Sequence, residues 1–191
     1  GSGGEKECLA TGRLGFATTT GGLTGGPLGG PLAFEATADE LAAALASLLG
    51  RFDQVPPAFS ARHVAGRRSY ELARRGEAVE RPATPVTVHA LALASRDGDT
   101  VDLVVRCSPG TYVRALARDL GDRLGTGAHL TALRRTRSGA FDLSQAAAGD
   151  DLAEAAAKLM PMARLLLDLP AVTVGEEGRR LVGHGRELGR E

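Results

Sequence analysis

The chain has 191 residues, 43% hydrophobic and 4% aromatic, with no tryptophan, so one moderate domain (or one domain and a fragment) would have an aliphatic, alanine-rich core. Its 23 basic and 23 acidic residues cancel, which leaves nucleic-acid binding open through a local basic patch but not through overall charge. Cys8 and Cys107 have neither metal nor redox spacing, as expected of a reduced intracellular protein, and no stretch reads as a signal peptide or a membrane span.

Residues 6–20, KECLATGRLGFATTT, alternate loosely and predict a strand with a turn or a pair of strands. The following GGLTGGPLGGP (21–31) reads as a flexible loop. It lacks the Lys-Ser/Thr that closes a phosphate loop. Thr37 and Glu40 have the spacing of a capping box, the Leu/Ala pattern is helical, and Gly50 is a natural stop, which predicts a helix over 38–49. Residues 52–85 open on a Pro-Pro turn and continue into SYELARRG, a short helix ended by Gly76. This stretch holds Arg62, His63, Arg67, Arg68, Arg74 and Arg75 and is the most basic in the chain, either a solvated face or a phosphate contact.

VTVHALALASRDGDTVDLVVRCS predicts a β-hairpin turning at RDGD, with Val101, Leu103 and Val105 on one face. A tight Pro-Gly corner leads into a helix that Gly125 ends. Val113, Leu116, Leu120 and Leu124 form its core side, and Arg114 and Arg118 share another side, four residues apart. Helix signals recur at 151–160 and 176–183, and MPMARLLLDLPAVTV (160–174) predicts a short helix and then a strand started by Pro170. Strands and helices mix, with a hairpin among them, so the expected fold is α+β on a mixed, largely antiparallel sheet flanked by helices.

Three features bear on chemistry. Arg114 lies in the first helical turn after a sharp corner, where free backbone N–H groups favour anions; the alternative is an ion pair with Asp119 or Asp122. Tyr112, one of two tyrosines, stands at the same corner, as a catalytic or a structural residue. Arg134, Arg135 and Arg137 follow HLTAL and either hold phosphates or sit on an exposed edge. The four histidines are scattered, and no metal cluster or Ser-His-Asp order is present.

Together these features resemble the TruB family of tRNA pseudouridine synthases over nearly the whole chain. RCSPGTYVRALARDLGDRLGTGAHLTALRRTRSGAF is similar to the family's most diagnostic segment. QVPPAFSARHVAGRRSYELARRGEAV resembles its RNA-gripping insertion, with Phe59 in the aromatic place and His63 where Lys is common. KECLATGRLGFATTT resembles the Lys-x-Tyr strand followed by Leu-Gly-x-x-Thr, and LPAVTVGEEGRRLVGHGREL the start of the small C-terminal domain. The resemblance implies a pseudouridine synthase fold, with 1–163 an incomplete catalytic domain, an RNA-gripping insertion at about 54–82, and 164–191 the start of a PUA-like domain. It implies an isomerase that flips the T-loop uridine of tRNA into a pocket, where an aspartate attacks and the base detaches, turns and rejoins through carbon. No cofactor or metal is implied. The partner is the tRNA T-arm, and the protein is a cytoplasmic monomer without membrane contact.

By the same resemblance Arg114 pairs with that aspartate and keeps it ionised. Tyr112 is its catalytic neighbour and Leu133 lines the base pocket with it. Arg62, His63, Arg67, Arg68, Arg74, Arg75, Arg134 and Arg135 contact RNA. The family's Gly-x-Leu-Asp-Pro-x-Ala-Thr-Gly segment, which carries the aspartate, is not found in the chain. Cys8 stands in the base pocket where the family has a stacking tyrosine, a loss of about 1–3 kcal/mol per stacked base. GGLTGG replaces the usual acidic turn. The chain alone is therefore expected to be inactive, either as an incomplete synthase or as a non-catalytic RNA-binding relative.

Overall fold

A computed structural model of the chain describes residues 4–57, 82–161, 164–165, 170 and 172–188, and the backbone alone of 63–64 and 67–68. It divides into two compact units, Gly1–Ala146 and Ala147–Glu191. The first unit is built on strand β1, Lys6–Leu14. Its alternate residues Cys8, Ala10 and Leu14 are all at most 2% exposed, while Leu9 and Arg13 face outward. That period of two makes one face of the sheet the core.

The expected hairpin forms as β7, Thr84–Asp97, and β8, Thr100–Cys107, with Gly98 in the left-handed region at φ 57° where they turn. Val101, Leu103, Val105 and Cys107 of β8 are buried on the core side. Before the hairpin come the short strands β2, Ala17–Thr18, and β3, Pro27–Leu28, then helix α1, Ala38–Ala46, and strand β4, Gly50–Gln54. The capping box at α1 is present in both halves, Thr37 Oγ1 accepting from Glu40 N at 3.2 Å and Glu40 Oε2 from Thr37 N at 2.8 Å. The helix stops three residues before the expected end. Leu48 N and Leu49 N bond three residues back rather than four, and this tightened turn delivers Gly50 into β4.

Strands β5, His63–Val64, and β6, Arg67–Arg68, pair as a small hairpin with His63 opposite Arg68. The short helix expected at SYELARRG lies outside the described residues. After β8 the chain forms helix α2, Val113–Arg123, as expected, then strand β9, Ala128–Ser138, and strand β10, Phe141–Asp142. The large sheet runs β10-β9-β1-β8-β7-β4, with every neighbour antiparallel. Leu41, Leu45 and Leu48 from the α1 region and Val113, Leu116 and Leu120 from α2 cover its core face. Each fully buried Leu or Val contributes about 1.5–3 kcal/mol through the hydrophobic effect.

The second unit holds helices α3, Leu152–Ala157, and α4, Glu176–Gly183, at the two places expected. Residues 172–175 form no strand, so the β-structure expected after Pro170 is not found there. Among the described residues no helix is long and apolar enough to cross a membrane.

The docking of α2 depends on one glycine. A Cβ on Gly121 would lie 2.2 Å from Ala128 N and from the Gly127 carbonyl carbon, both backbone atoms with little room to move. Gly127 itself sits at φ 70° against Ala17 N. Propensity alone makes Ala better than Gly by about 1 kcal/mol inside a helix. Overpacking against rigid backbone costs about 1–3 kcal/mol, and a 2.2 Å approach belongs at the severe end, so the clash wins. Gly121→Ala is expected to lower stability by about 2 kcal/mol net. A thermal melt checks this; a melting temperature at or above the parent's would contradict so close a packing.

Candidate active site

The corner between β8 and α2 is held from several directions. Ser108 N donates to Thr87 O at 2.8 Å, and Ser108 Oγ accepts from Thr87 N at 2.9 Å and meets Thr111 Oγ1 at 3.1 Å. Lys6 Nζ, from the start of β1, donates to Thr111 O. Gln54, 2% exposed, pairs with the backbone of Tyr112: its Oε1 accepts from Tyr112 N at 2.8 Å and its Nε2 donates to Tyr112 O at 3.2 Å. Gly110, at φ 81°, makes the turn possible. Tyr112 is thereby fixed as the residue that starts α2, with extended backbone and no side-chain cap.

Arg114 follows in the first turn and is half-buried. Its Nη1 approaches Thr20 O at 3.4 Å. The Gly-rich segment expected to be a flexible loop is the wall of its site. Gly21, at φ 69°, is placed so that a Cβ would lie 3.4 Å from Arg114 O, and Gly22 bridges to Leu130 in parallel. Leu130 N also donates to Gly21 O at 3.0 Å. The left-handed φ of Gly21 favours glycine there, and the segment is tied to a helix and a strand rather than hanging free. Arg114 thus has protein contacts, and neither expected carboxylate is shown bonded to it. Asp119 is taken by Arg118, whose Nε and Nη2 reach Asp119 Oδ1 at 2.9 and 2.7 Å. Arg118 Nη2 also donates to Val55 O at 3.1 Å.

Arg114 and Arg118 line a cavity of about 210 Å³ together with Thr20, Gly21, Leu28 and Pro57. A larger cavity of about 600 Å³ lies between α1 and the end of α2, but it sets Glu35 and Glu40 against Arg123. Two carboxylates against one guanidinium do not suit a polyanion, so the smaller, cationic cavity is the better anion site. Among the described residues no group of three His, Cys, Asp or Glu side chains converges to hold a metal ion.

The remaining candidates are dispersed. Cys8 is 2% exposed and belongs to the core cluster, so its thiol is packed among apolar side chains. Leu133 is 50% exposed and stands opposite Ala10, on the same face as Cys8 and two residues before Arg135, which is opposite Cys8. Arg134 and Arg135, both exposed, do not act from one surface. Arg135 is opposite inward-facing Cys8, and Arg134 opposite outward-facing Leu9, so they project to opposite faces of the sheet. Burial pushes the Cys107 thiol up from its ordinary pKa, against smaller opposing effects of Lys6, the Thr111 hydrogen bond and Arg135; Lys6 stands opposite Cys107 in the β1–β8 register. His63, Arg67 and Arg68 sit on the β5–β6 hairpin, and Arg62, Arg74 and Arg75 lie outside the described residues. Sequence reasoning missed Gln54, the Lys6 link and the Thr20–Gly22 wall. The Gln two residues before Pro-Pro was visible, but a partner 58 residues away was not.

Residues 2–113 match the sequence profile described as TruB family pseudouridylate synthase (N terminal domain), which is more than half of the chain. The chain belongs to the TruB family. Residues 114–169 match the tRNA pseudouridylate synthase B C-terminal domain. The boundary between the two profiles falls inside the first turn of α2, within one folded unit. A tRNA pseudouridine synthase B of Mycobacterium ulcerans is 45% identical over 188 residues, covering 96% of this chain and 62% of that protein. Those of Leifsonia xyli and Chromohalobacter salexigens are 45% and 41% identical, with 64% and 58% of their lengths covered. The chain therefore spans less than two thirds of these TruB relatives. A chain in the crystal structure of a Cbf5-Nop10-Gar1 complex superposes with a TM-score of 0.52 at 26% identity, over 74% of this chain and 32% of that one.

The buried cysteines give a direct check on the base-pocket position. Cys8 and Cys107 are both at most 2% exposed, and Cys107 is also held in its thiol form by burial. Thiolate is the reactive species. Neither thiol is expected to react with an aromatic disulfide reagent at mildly alkaline pH until the protein is unfolded, when both do. Rapid reaction of Cys8 in the folded chain would show an open pocket at that position.

Proposed function

We propose that this chain is the part of a TruB-type tRNA pseudouridine synthase that grips the T-arm of tRNA and orients the nucleophile acting on the T-loop uridine. The observation that carries this reading is the arginine corner: Arg114, half-buried in the first turn of α2, in a cationic cavity walled by Thr20–Gly22. A guanidinium so held cannot lose its proton. It favours the ionised form of a carboxylate brought beside it. Tyr112 and Leu133 bound the place of the flipped base, and Lys6 and Arg135 offer positive charge on the same face of the sheet. The insertion from Gln54 to about residue 82, with Arg62, His63, Arg67, Arg68, Arg74 and Arg75, holds the RNA arm. No cofactor takes part, and the protein works as a cytoplasmic monomer.

The attacking aspartate of this mechanism is not among the residues of this chain. No aspartate here has the Leu-Asp-Pro context, and Asp119 is engaged by Arg118. Cys8 in place of the stacking aromatic favours a second reading, a non-catalytic RNA-binding member of the family. The 191-residue chain by itself is expected to release no tritium above background from uridine-labelled T-arm RNA. Release well above background would place the nucleophile within the chain and overturn that part of the reading.

RNA binding is expected to persist and to be steeply salt-dependent. Each phosphate contact made by the arginines releases counterions, with a slope of about −0.7 to −0.9 in log affinity against log salt. Titration of a T-arm hairpin at two salt concentrations measures it. A flat response would reduce the basic insertion to a solvated face.

A further inference from the structure

The insertion and the arginine corner are joined by a residue to which neither the sequence motifs nor the mechanism gives a role. Gln54 is the last residue of β4 and the first of the insertion. Its side chain is 2% exposed, and its carboxamide forms a two-point pair with the N–H and C=O of Tyr112. The pairing imitates a strand neighbour, but it is made by a side chain to a backbone that is turning into a helix. One residue on, Val55 O accepts from Arg118 Nη2, a turn further along the same helix. Pro57 then lines the cavity of Arg114. The root of the insertion thus grips the first two turns of α2 on both sides of Arg114.

We propose that Gln54 is a positioning residue: it sets the direction of Arg114 through the Tyr112 backbone and couples that direction to the seating of the insertion on RNA. The inference rests on the reading of Arg114 as the group that orients the nucleophile. Its physical basis is the length of the lever. Tyr112 starts α2 with no side-chain cap of its own, so the entry angle of the helix is set by whatever holds Tyr112. Arg114 is two residues away, within the same turn. A movement of the insertion reaches Gln54 through Val55, Pro56 and Pro57, where two consecutive prolines stiffen the chain. An apolar side chain in place of Gln54 would leave the pair unmade and free the helix start to shift.

The test uses the side-chain Nε–H resonance of Arg114 in isotope-labelled chain, assigned by its loss in Arg114→Lys. Arg13, bonded to Asp99 at the far end of β1, is the internal reference. In Gln54→Met, which matches Gln in length but offers no hydrogen bond, the Arg114 resonance is expected to move while that of Arg13 stays. A T-arm hairpin is expected to shift the Arg114 resonance in the parent. In Gln54→Met the hairpin is expected still to bind, and the shift at Arg114 to be lost. If Gln54→Met does not fold, Gln54→Glu decides. Its ionised carboxylate accepts from Tyr112 N but cannot donate to Tyr112 O, so the Arg114 resonance should return to the parental position as the introduced carboxyl takes up a proton. An Arg114 resonance unmoved in the folded variant, or hairpin affinity lost in step with thermal stability, would make Gln54 an ordinary structural residue and overturn the proposal. If the parent binds no hairpin, the RNA-binding reading fails, and the comparison in free protein still decides the role of Gln54.

Discussion

The first unit turns on the need to satisfy buried backbone polar groups at the corner between β8 and α2. The chain passes from an interior strand to an interior helix within five residues, 108–112, and no ladder or helix can pair them all. Unpaired, each would cost about 1–3 kcal/mol. The partners come from three strands: Thr87 of β7, Gln54 of β4 and Lys6 of β1. A single corner therefore ties the centre of the sheet to its edge, and Arg114 inherits the rigidity of the result.

The same economy governs the opposite side of Arg114. The Thr20–Gly22 segment runs between α2 and β9 and bonds to both. Glycine-rich composition is ambiguous on its own terms. It describes a mobile linker when nothing is near and an obligatory close approach when two elements converge. At Gly121 the neighbouring backbone decides for close approach and leaves no room for a Cβ, whereas at Gly21 it is the left-handed φ of 69° that favours glycine.

Charge follows from these constraints. Asp119, the carboxylate nearest in sequence to Arg114, is turned to Arg118 instead, and Arg118 in turn holds Val55. The cavity beside Arg114 keeps a cationic lining. On the outer face of the sheet Asp102 accepts from Ser95 and Thr11 at 2.6 and 2.7 Å, and these bonds, Ser95 first, lower its pKa. The two faces of one sheet so carry different electrostatics: a cationic end on the core side, by Lys6 and Arg135, and a hydrogen-bonded carboxylate on the other.

The capping box at Thr37, the hairpin turn at Gly98, the apolar alternation of β8 and the helix from Val113 to Arg123 were all legible in the sequence, because each depends on residues within a few positions of one another. The family likeness was legible for the same reason, since its motifs are short runs. Strand β9 was not recognised, because its outer half, Leu133 to Ser138, is charged and exposed and shows no apolar alternation; it is a strand because β1 pairs with it. The division of Arg134 from Arg135 needs that pairing too. The environment of Cys8, the partners of Arg114 and the grip of Gln54 on Tyr112 were decided by the tertiary structure alone. Each joins residues tens of positions apart, and only the assembled sheet, with its helices packed on one face, brings such residues within hydrogen-bond distance.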